Sequence, residues 1–173
     1  MIKLTIVSGL PGSGKSRLAE GIAKQLFVPV FSVDPIESSI LKTGIQRSFE
    51  TGLAAYVVAE TLAAEQLKLG MSVIIDAVNP VPEAREAWRK LAKKYNAKLI
   101  IIECHLNENL HKERLANRVR NLHGIPEVTW DRVESLKKEY TPWEDEKLVI
   151  DSANSIDENL MKSVEYINFV SVQ

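Results

Sequence analysis

Residues 9–16 read Gly9-Leu10-Pro11-Gly12-Ser13-Gly14-Lys15-Ser16, the pattern G-x-x-x-x-G-K-[ST]. Glycines, lysine and serine at this spacing suit a polyphosphate. The glycines let the main chain bend close to the anion with its N–H groups turned inward. Lys15 brings a mobile positive charge to the β- and γ-phosphates, and the Ser16 hydroxyl is a ligand for Mg²⁺. A helix beginning near Lys15 adds the positive end of its dipole, and Arg17 rides on its first turn. The plainer alternative is a Gly-rich turn followed by a chance Lys-Ser. The apolar run Leu4-Thr5-Ile6-Val7 before the loop and the helical pattern after it favour the phosphate site. The implied ligands are ATP and Mg²⁺.

Two carboxylates could complete such a site. Asp76 ends the run Val73-Ile74-Ile75-Asp76. A carboxylate at the carboxyl end of a buried strand lies at the rim where ligands bind in open α/β sheets. There it can order a Mg²⁺ shell with the loop serine. Its other reading is a turn cap, because Asp-x-x-Asn-Pro is turn-like. Asp34 ends the second apolar segment. It could take the proton of an acceptor hydroxyl, or cap the helix that follows Pro35. Glu37 lies one turn later, facing either the same cleft or solvent.

The basic candidates are Arg114 and Arg118, spaced i, i+4 on an expected helix, with Lys112 and Arg120 nearby. The segment runs on into Asn121-Leu122-His123-Gly124-Ile125-Pro126. Arginines on a closing segment at about 108–128 would neutralise transferring phosphate and exclude water. The alternative is an exposed, charge-laced helix face.

These residues need a frame, and the sequence supplies one. Five apolar, β-branched segments alternate with helical patterns: 4–8, 28–33, 72–76, 98–103 and 148–150. Such alternation predicts a parallel sheet covered on both faces. Residues 82–95 place Ala84, Ala87, Trp88, Leu91, Ala92 and Tyr95 on one stripe, which makes Trp88 a core residue. Residues 52–69 form a long Ala-rich helix stopped at Gly70. Ser155 and Glu158 fit a capping box before the last helix. Trp130, Val133, Leu136 and Tyr140 form another stripe, and Trp143 covers either the sheet end or a pocket.

Composition sets the remaining bounds. The chain has 173 residues, 45% of them hydrophobic, and a net charge of −1. That is one domain with a substantial core. No basic block suggests non-specific nucleic-acid binding, and no stretch is long enough to span a membrane. The single cysteine, Cys104, excludes an intrachain disulfide, reads as a buried structural thiol, and fits a reducing cytoplasm. The N-terminal apolar run is a first strand and not a signal peptide. His105, His111 and His123 lack zinc-like spacing.

The loop, Asp34, the stretch Val73–Asn79 and the arginine segment together resemble the P-loop kinase group. That group includes the polynucleotide kinase domain, chloramphenicol phosphotransferase and zeta toxins. The resemblance runs from Ile2 to about Asn154. It implies a three-layer fold with a five-stranded parallel sheet in the order 2-3-1-4-5. It implies acceptor activation by Asp34, and phosphate contacts from Arg114, Arg118 and Arg120. Asp76-Ala77-Val78-Asn79 with Arg85 resembles the group's Asp-x-x-Asn followed by Arg. Asp151-Ser152-Ala153 resembles its segment beside the nucleotide base.

One departure is informative. Polynucleotide kinases carry an Arg three residues after the activating Asp, where this chain has Glu37. No basic residue occurs between Asp34 and Lys42. Phosphate recognition favours Arg, so nucleic-acid acceptors are disfavoured. The expectation is an ATP-dependent kinase for the hydroxyl of a small molecule, one that carries an amine for Glu37 to pair. The rivals are a nucleotide-dependent switch or ATPase acting through a protein partner, and a nucleotide or polynucleotide kinase. Oligomeric state is left open.

Overall fold

The side chains of each central strand alternate between two hydrophobic clusters. In β1 (Lys3–Ser8), Leu4 and Ile6 enter one cluster and Val7 the other. In β3 (Val73–Asp76), Val73 and Ile75 face one side and Ile74 the other. In β4 (Lys98–His105), Ile101 opposes Ile100 and Ile102. Strands apolar on both faces must be covered on both faces, the signature of a parallel sheet.

The computed structural model describes residues 1–170 and shows such a sheet, parallel throughout, in the order β2-β3-β1-β4-β5. The edge strands are β2 (Val30–Ser32) and β5 (Lys147–Asp151). Helices α2 (Val33–Leu41), α3 (Phe49–Lys68) and α4 (Pro82–Lys94) lie on the Leu4 and Ile6 side. Helices α1 (Lys15–Leu26) and α7 (Ile156–Phe169) lie on the Val7 side. Helices α5 (Glu108–Ala116) and α6 (Trp130–Glu139) are inserted between β4 and β5. The expected three-layer fold and strand order are borne out.

Several boundaries differ from the sequence reading, each for a local reason. The second strand is shorter than residues 28–33, because Val33 and Asp34 already form the first turn of α2. Helix α3 begins at Phe49 and not at residue 52. Ser48 and Thr51 cap it reciprocally, the Thr51 N–H donating to Ser48 Oγ and the Ser48 N–H to Thr51 Oγ1. Gly70 follows α3 with φ 77°, as a helix-ending glycine should. Ala55, Ala59, Ala63 and Leu67 form a buried stripe on α3, small enough to bring the helix close to the sheet.

The register places the site. Val7 and Ser32 both pair with Asp76, so the ends of β1, β2 and β3 meet at one edge. The phosphate loop leaves β1 there and α2 leaves β2 there. Trp88 and Trp143 are both buried in the core cluster, which assigns Trp143 to covering the sheet end. Among the described residues, no helix is long and apolar enough to cross a membrane.

Candidate functional site

The phosphate loop is held by close approach of backbone to backbone. Gly9 has φ 141°, and a Cβ there would meet Cys104 O at 2.5 Å. Gly12 has φ 85°, and its Cβ would meet Leu115 Cδ2 at 2.7 Å. Neither position accepts a side chain. The Ser13 N–H closes a turn onto Leu10 O at 3.1 Å, and His111 Nε2 donates to Pro11 O at 2.7 Å. Helix α5 thereby buttresses the loop. Cys104 packs behind it, its thiol pushed up to about 12 chiefly by burial, in keeping with a structural role.

The loop then opens into α1. Gly14 caps this helix without a side-chain hydrogen bond, and no acidic residue stands in the first turn. Its positive end is left for a ligand. Lys15 is 4% exposed and, among the described residues, has no side-chain hydrogen bond or ion pair. A lysine side chain buried to this degree with no protein acceptor suits a bound anion. A cavity of about 490 Å³ lies over these groups, lined by Gly12, Gly14, Lys15, Ser16 and Arg17 with Arg114, Arg118 and Ser152. Leu10 and Ser13 line a smaller cavity on the other side of the loop. Ser152 and Asn154, after β5, therefore border the phosphate-loop cavity.

Arg114 and Arg118 reach this cavity by different routes. Helix α5 ends at Ala116, so Arg118 lies beyond it and the two do not share a helix face. The Asn117 backbone, at φ −99° and ψ 0°, turns the chain out of the helix. Arg114 Nη2 donates to Ser152 O at 2.6 Å, which ties α5 to the β5–α7 turn. Arg118 is the less satisfied group. Its Nη1 is buried without a partner among the described residues. Burial pushes its guanidinium below the ordinary arginine value; Arg120 adds to this, while Asp34 and Asp76 oppose it.

Asp76 is 4% exposed, and its Oδ1 lacks a partner among the described residues. An orphaned buried carboxylate oxygen at the strand end is a donor of the kind a hard divalent cation takes. The turn-cap alternative would give that oxygen a backbone partner, and none is found there. Asp34 is not a helix cap either. Ser32 holds the cap position of α2, and Asp34 sits in the first turn. Its Oδ2 accepts from Arg120 Nη1 in a short ion pair. The segment carrying Arg120 docks on α2 at two further points. Ser38 Oγ donates to His123 O at 3.0 Å, and Gly124 lies against Leu41.

Glu37 is not a solvated residue, since only 6% of it is exposed. Its Oε1 accepts from Thr51 Oγ1 at 3.0 Å and from Arg47 Nε at 3.3 Å. The amine expected of an acceptor is thus already supplied by Arg47. Arg85 is also accounted for. Its guanidinium donates to Asn79 O, Pro142 O and Thr141 O between Tyr140 and Trp143, which locks the chain after β3 to the chain before β5. Asn79, with φ 50°, receives the Trp88 indole N–H on its Oδ1 at 2.9 Å. Arg85 therefore holds the frame and does not face the cavity.

The sequence points to residues 35–57 as lining an acceptor site, with Tyr56 as easily core, and the structure shows an open cleft of about 800 Å³ between α2, α3 and α4, lined in part by Tyr56. The Tyr56 hydroxyl accepts from the Asn79 N–H at 3.0 Å. Burial raises its phenol, and Asp34 and Asp76 add to the rise, so it stands within the field of both carboxylates. The signal that could have found the cleft is the apolar spacing of Phe49, Leu53 and Val57, opposite the alanine stripe of the same helix.

The chain is similar to several known proteins. The chain is 28% identical over 154 residues to an uncharacterized protein of Mycobacterium tuberculosis, covering 83% of this chain and 30% of that one. It is 29% identical over 138 residues to a bifunctional polynucleotide phosphatase/kinase of Schizosaccharomyces pombe, covering 77% and 29%. The chain thus spans less than a third of either relative. Among solved structures, a gluconokinase from Sinorhizobium meliloti superposes with a TM-score of 0.71 at 18% identity, covering 98% of this chain and 93% of that one. The Mycobacterium tuberculosis APS kinase, in complex with AMPPNP and APS, does so with 0.71 at 19%, covering 96% and 98%. At such identities the likeness carries the fold. Residues 4–143 match the AAA domain family AAA_33. With motif, strand order and fold neighbours in agreement, the protein belongs to that family and to the P-loop kinase group.

Proposed function

We propose that the protein is an ATP-dependent phosphotransferase that acts on a hydroxyl of a small molecule. One observation carries this reading. Arg118 lines the phosphate-loop cavity, and two residues further on Arg120 pairs with Asp34, so one segment touches both the nucleotide cavity and the candidate acceptor carboxylate.

In this reading residues 1–173 are one kinase-like domain and the segment at about 108–128 is its lid. The loop from Gly9 to Ser16, with Arg17, holds the triphosphate. Lys15 meets the β- and γ-phosphates. Ser16 and Asp76 would hold Mg²⁺, which when bound neutralises phosphate charge. Arg114 and Arg118 stabilise the transferring group from the lid side. Asp34 aligns the acceptor hydroxyl and takes its proton. The acceptor oxygen bonds to the γ-phosphorus as the bond from that phosphorus to the β,γ-bridging oxygen breaks, and ADP leaves.

Product analysis tests the proposal. Purified protein with ATP, Mg²⁺ and a metabolite panel is expected to yield ADP and a phosphorylated acceptor in equal amounts. Release of inorganic phosphate alone, at the same rate with and without the panel, overturns the reading in favour of a switch.

A further inference from the structure

We propose that the acceptor is an apolar alcohol of aromatic size without an anionic group, seated in the cleft between α2, α3 and α4; this rests on the phosphotransferase reading. The cleft adjoins the reacting centre. Glu37 stands one turn after Asp34 on α2 and lines it. Tyr56 lines it too, and its hydroxyl accepts from the N–H of Asn79, three residues after Asp76. A molecule lying here can therefore present a hydroxyl to Asp34 while its body stays in the cleft.

The walls set the class of that body. They include Phe49, Leu53, Tyr56, Val57, Val81 and Trp88. Phe49, Leu53 and Val57 recur every four residues along one face of α3 and are 81%, 53% and 53% exposed. The helix has no core reason for this stripe, because its alanine stripe already packs on the sheet. At about 25 cal/mol per Å², apolar surface of this kind gains by covering an apolar ligand and offers nothing to a polyol.

The charges exclude an anion. Arg47, one of the two cations lining the cleft, is paired with Glu37 at 3.3 Å. Of the other charged residues lining the cleft, Glu60 and Glu83 are acidic and Arg132 alone is basic. A sulfate, phosphate or carboxylate on the acceptor would meet two carboxylates and no buried, unpaired cation. Specific anion sites are built the opposite way. The cleft thus separates this chain from its fold neighbours named for gluconate and APS.

Phenylpropanol and naphthylethanol serve as probes, with gluconate, APS and an oligonucleotide bearing a free terminal hydroxyl as comparators. Binding is read by calorimetry in the presence of a non-hydrolysable ATP analogue, and transfer by mass spectrometry with ATP and Mg²⁺. The aromatic alcohols are expected to bind and to be phosphorylated. Leu53→Asp, at a half-exposed position that should not disturb folding, is expected to raise their KM about tenfold with ATP affinity unchanged. Transfer to gluconate, APS or the oligonucleotide in preference to the alcohols overturns this inference and leaves the kinase reading standing. Failure of the alcohols to bind, or equal binding to Leu53→Asp, also overturns it. Concentration-dependent self-association abolished by Leu53→Asp overturns it in favour of a second copy on the stripe. Binding of the alcohols with only inorganic phosphate released supports the ligand class and overturns the kinase reading instead.

Discussion

The two halves of the site are prepared in opposite ways. Around the phosphate loop, charge is left waiting: Lys15 without a partner, Arg118 with a buried unpaired Nη1, Asp76 with an orphaned Oδ1. Around α2 and α3, charge is already matched: Asp34 by Arg120, Glu37 by Arg47 and Thr51. A site whose charges stand open selects by charge, and a site whose charges are closed selects by shape and apolar contact. On the proposed reading, the phosphate-loop half suits a ligand of fixed, dense charge, and the half around α2 and α3 suits a ligand that brings little.

The contrast can be broken in several places. The largest expected effect is at Asp34. Asp34→Asn should lower turnover by about 10²- to 10⁴-fold with nucleotide affinity unchanged, as steady-state kinetics and calorimetry would report. A parallel loss of ATP affinity would mean that the halves are not separate. Next is Lys15→Ala, which should weaken binding of a non-hydrolysable ATP analogue by about 10- to 100-fold, the range for a charged hydrogen bond lost from a buried site. Undiminished affinity would remove the claim that this ammonium waits for phosphate. Arg120→Gln should act on the acceptor half alone. Freeing Asp34 from a partly exposed pair is expected to change acceptor KM by about fivefold or less, with ATP affinity unmoved.

The smallest effect concerns the back of the phosphate loop. Glu103 shares a small cavity with Gly9, Leu10 and Ser13. Burial acts to raise its carboxyl, but hydrogen bonds from His105 and Tyr140 and the nearby Lys147 outweigh it and hold the group at about 2, below its ordinary 4.5. A depressed carboxyl contributes stability that is present above pH 4.5 and lost as pH falls towards 2. His105 is raised from 6.5, first by its hydrogen bond to Glu103, so its share is present below pH 6.5 and fades as pH rises past it. Urea unfolding across this range should show the acid loss in the wild type and a flatter profile in Glu103→Gln. Hydrogen exchange should show protection lost first around the loop, and equal loss around α3 would argue against two independently held halves.

What could be read in the chain beforehand followed the same division. The phosphate loop is eight consecutive residues, so its chemistry is local and the motif sufficed. The sheet was legible because buried parallel strands are continuous apolar runs, and their order followed from the resemblance. The acceptor half depends on distant pairings. Asp34 and Arg120 are 86 positions apart, and no local pattern announces their contact. Glu37 could be read as facing either the cleft or solvent, because its partners Thr51 and Arg47 depend on how α2 turns into α3. Arg118 looked helical because i, i+4 spacing continues past Ala116 in sequence, while the backbone leaves the helix there. The early start of α3 was hidden because its reciprocal cap uses Thr51 where the familiar pattern has Glu or Gln.

The Asp34–Arg120 contact also bears on what happens when ATP is bound and no acceptor has arrived. Water is the acceptor always at hand, at a concentration no metabolite approaches. A water molecule fills no apolar cleft and so gains little with which to displace an arginine from a carboxylate. An alcohol that seats its body against Tyr56 and Leu53 gains much more. On the proposed kinase reading, this ion pair would thereby withhold proton-accepting help from solvent and offer it to a bound alcohol, so that fidelity against hydrolysis would rest on the pairing of Asp34 with Arg120.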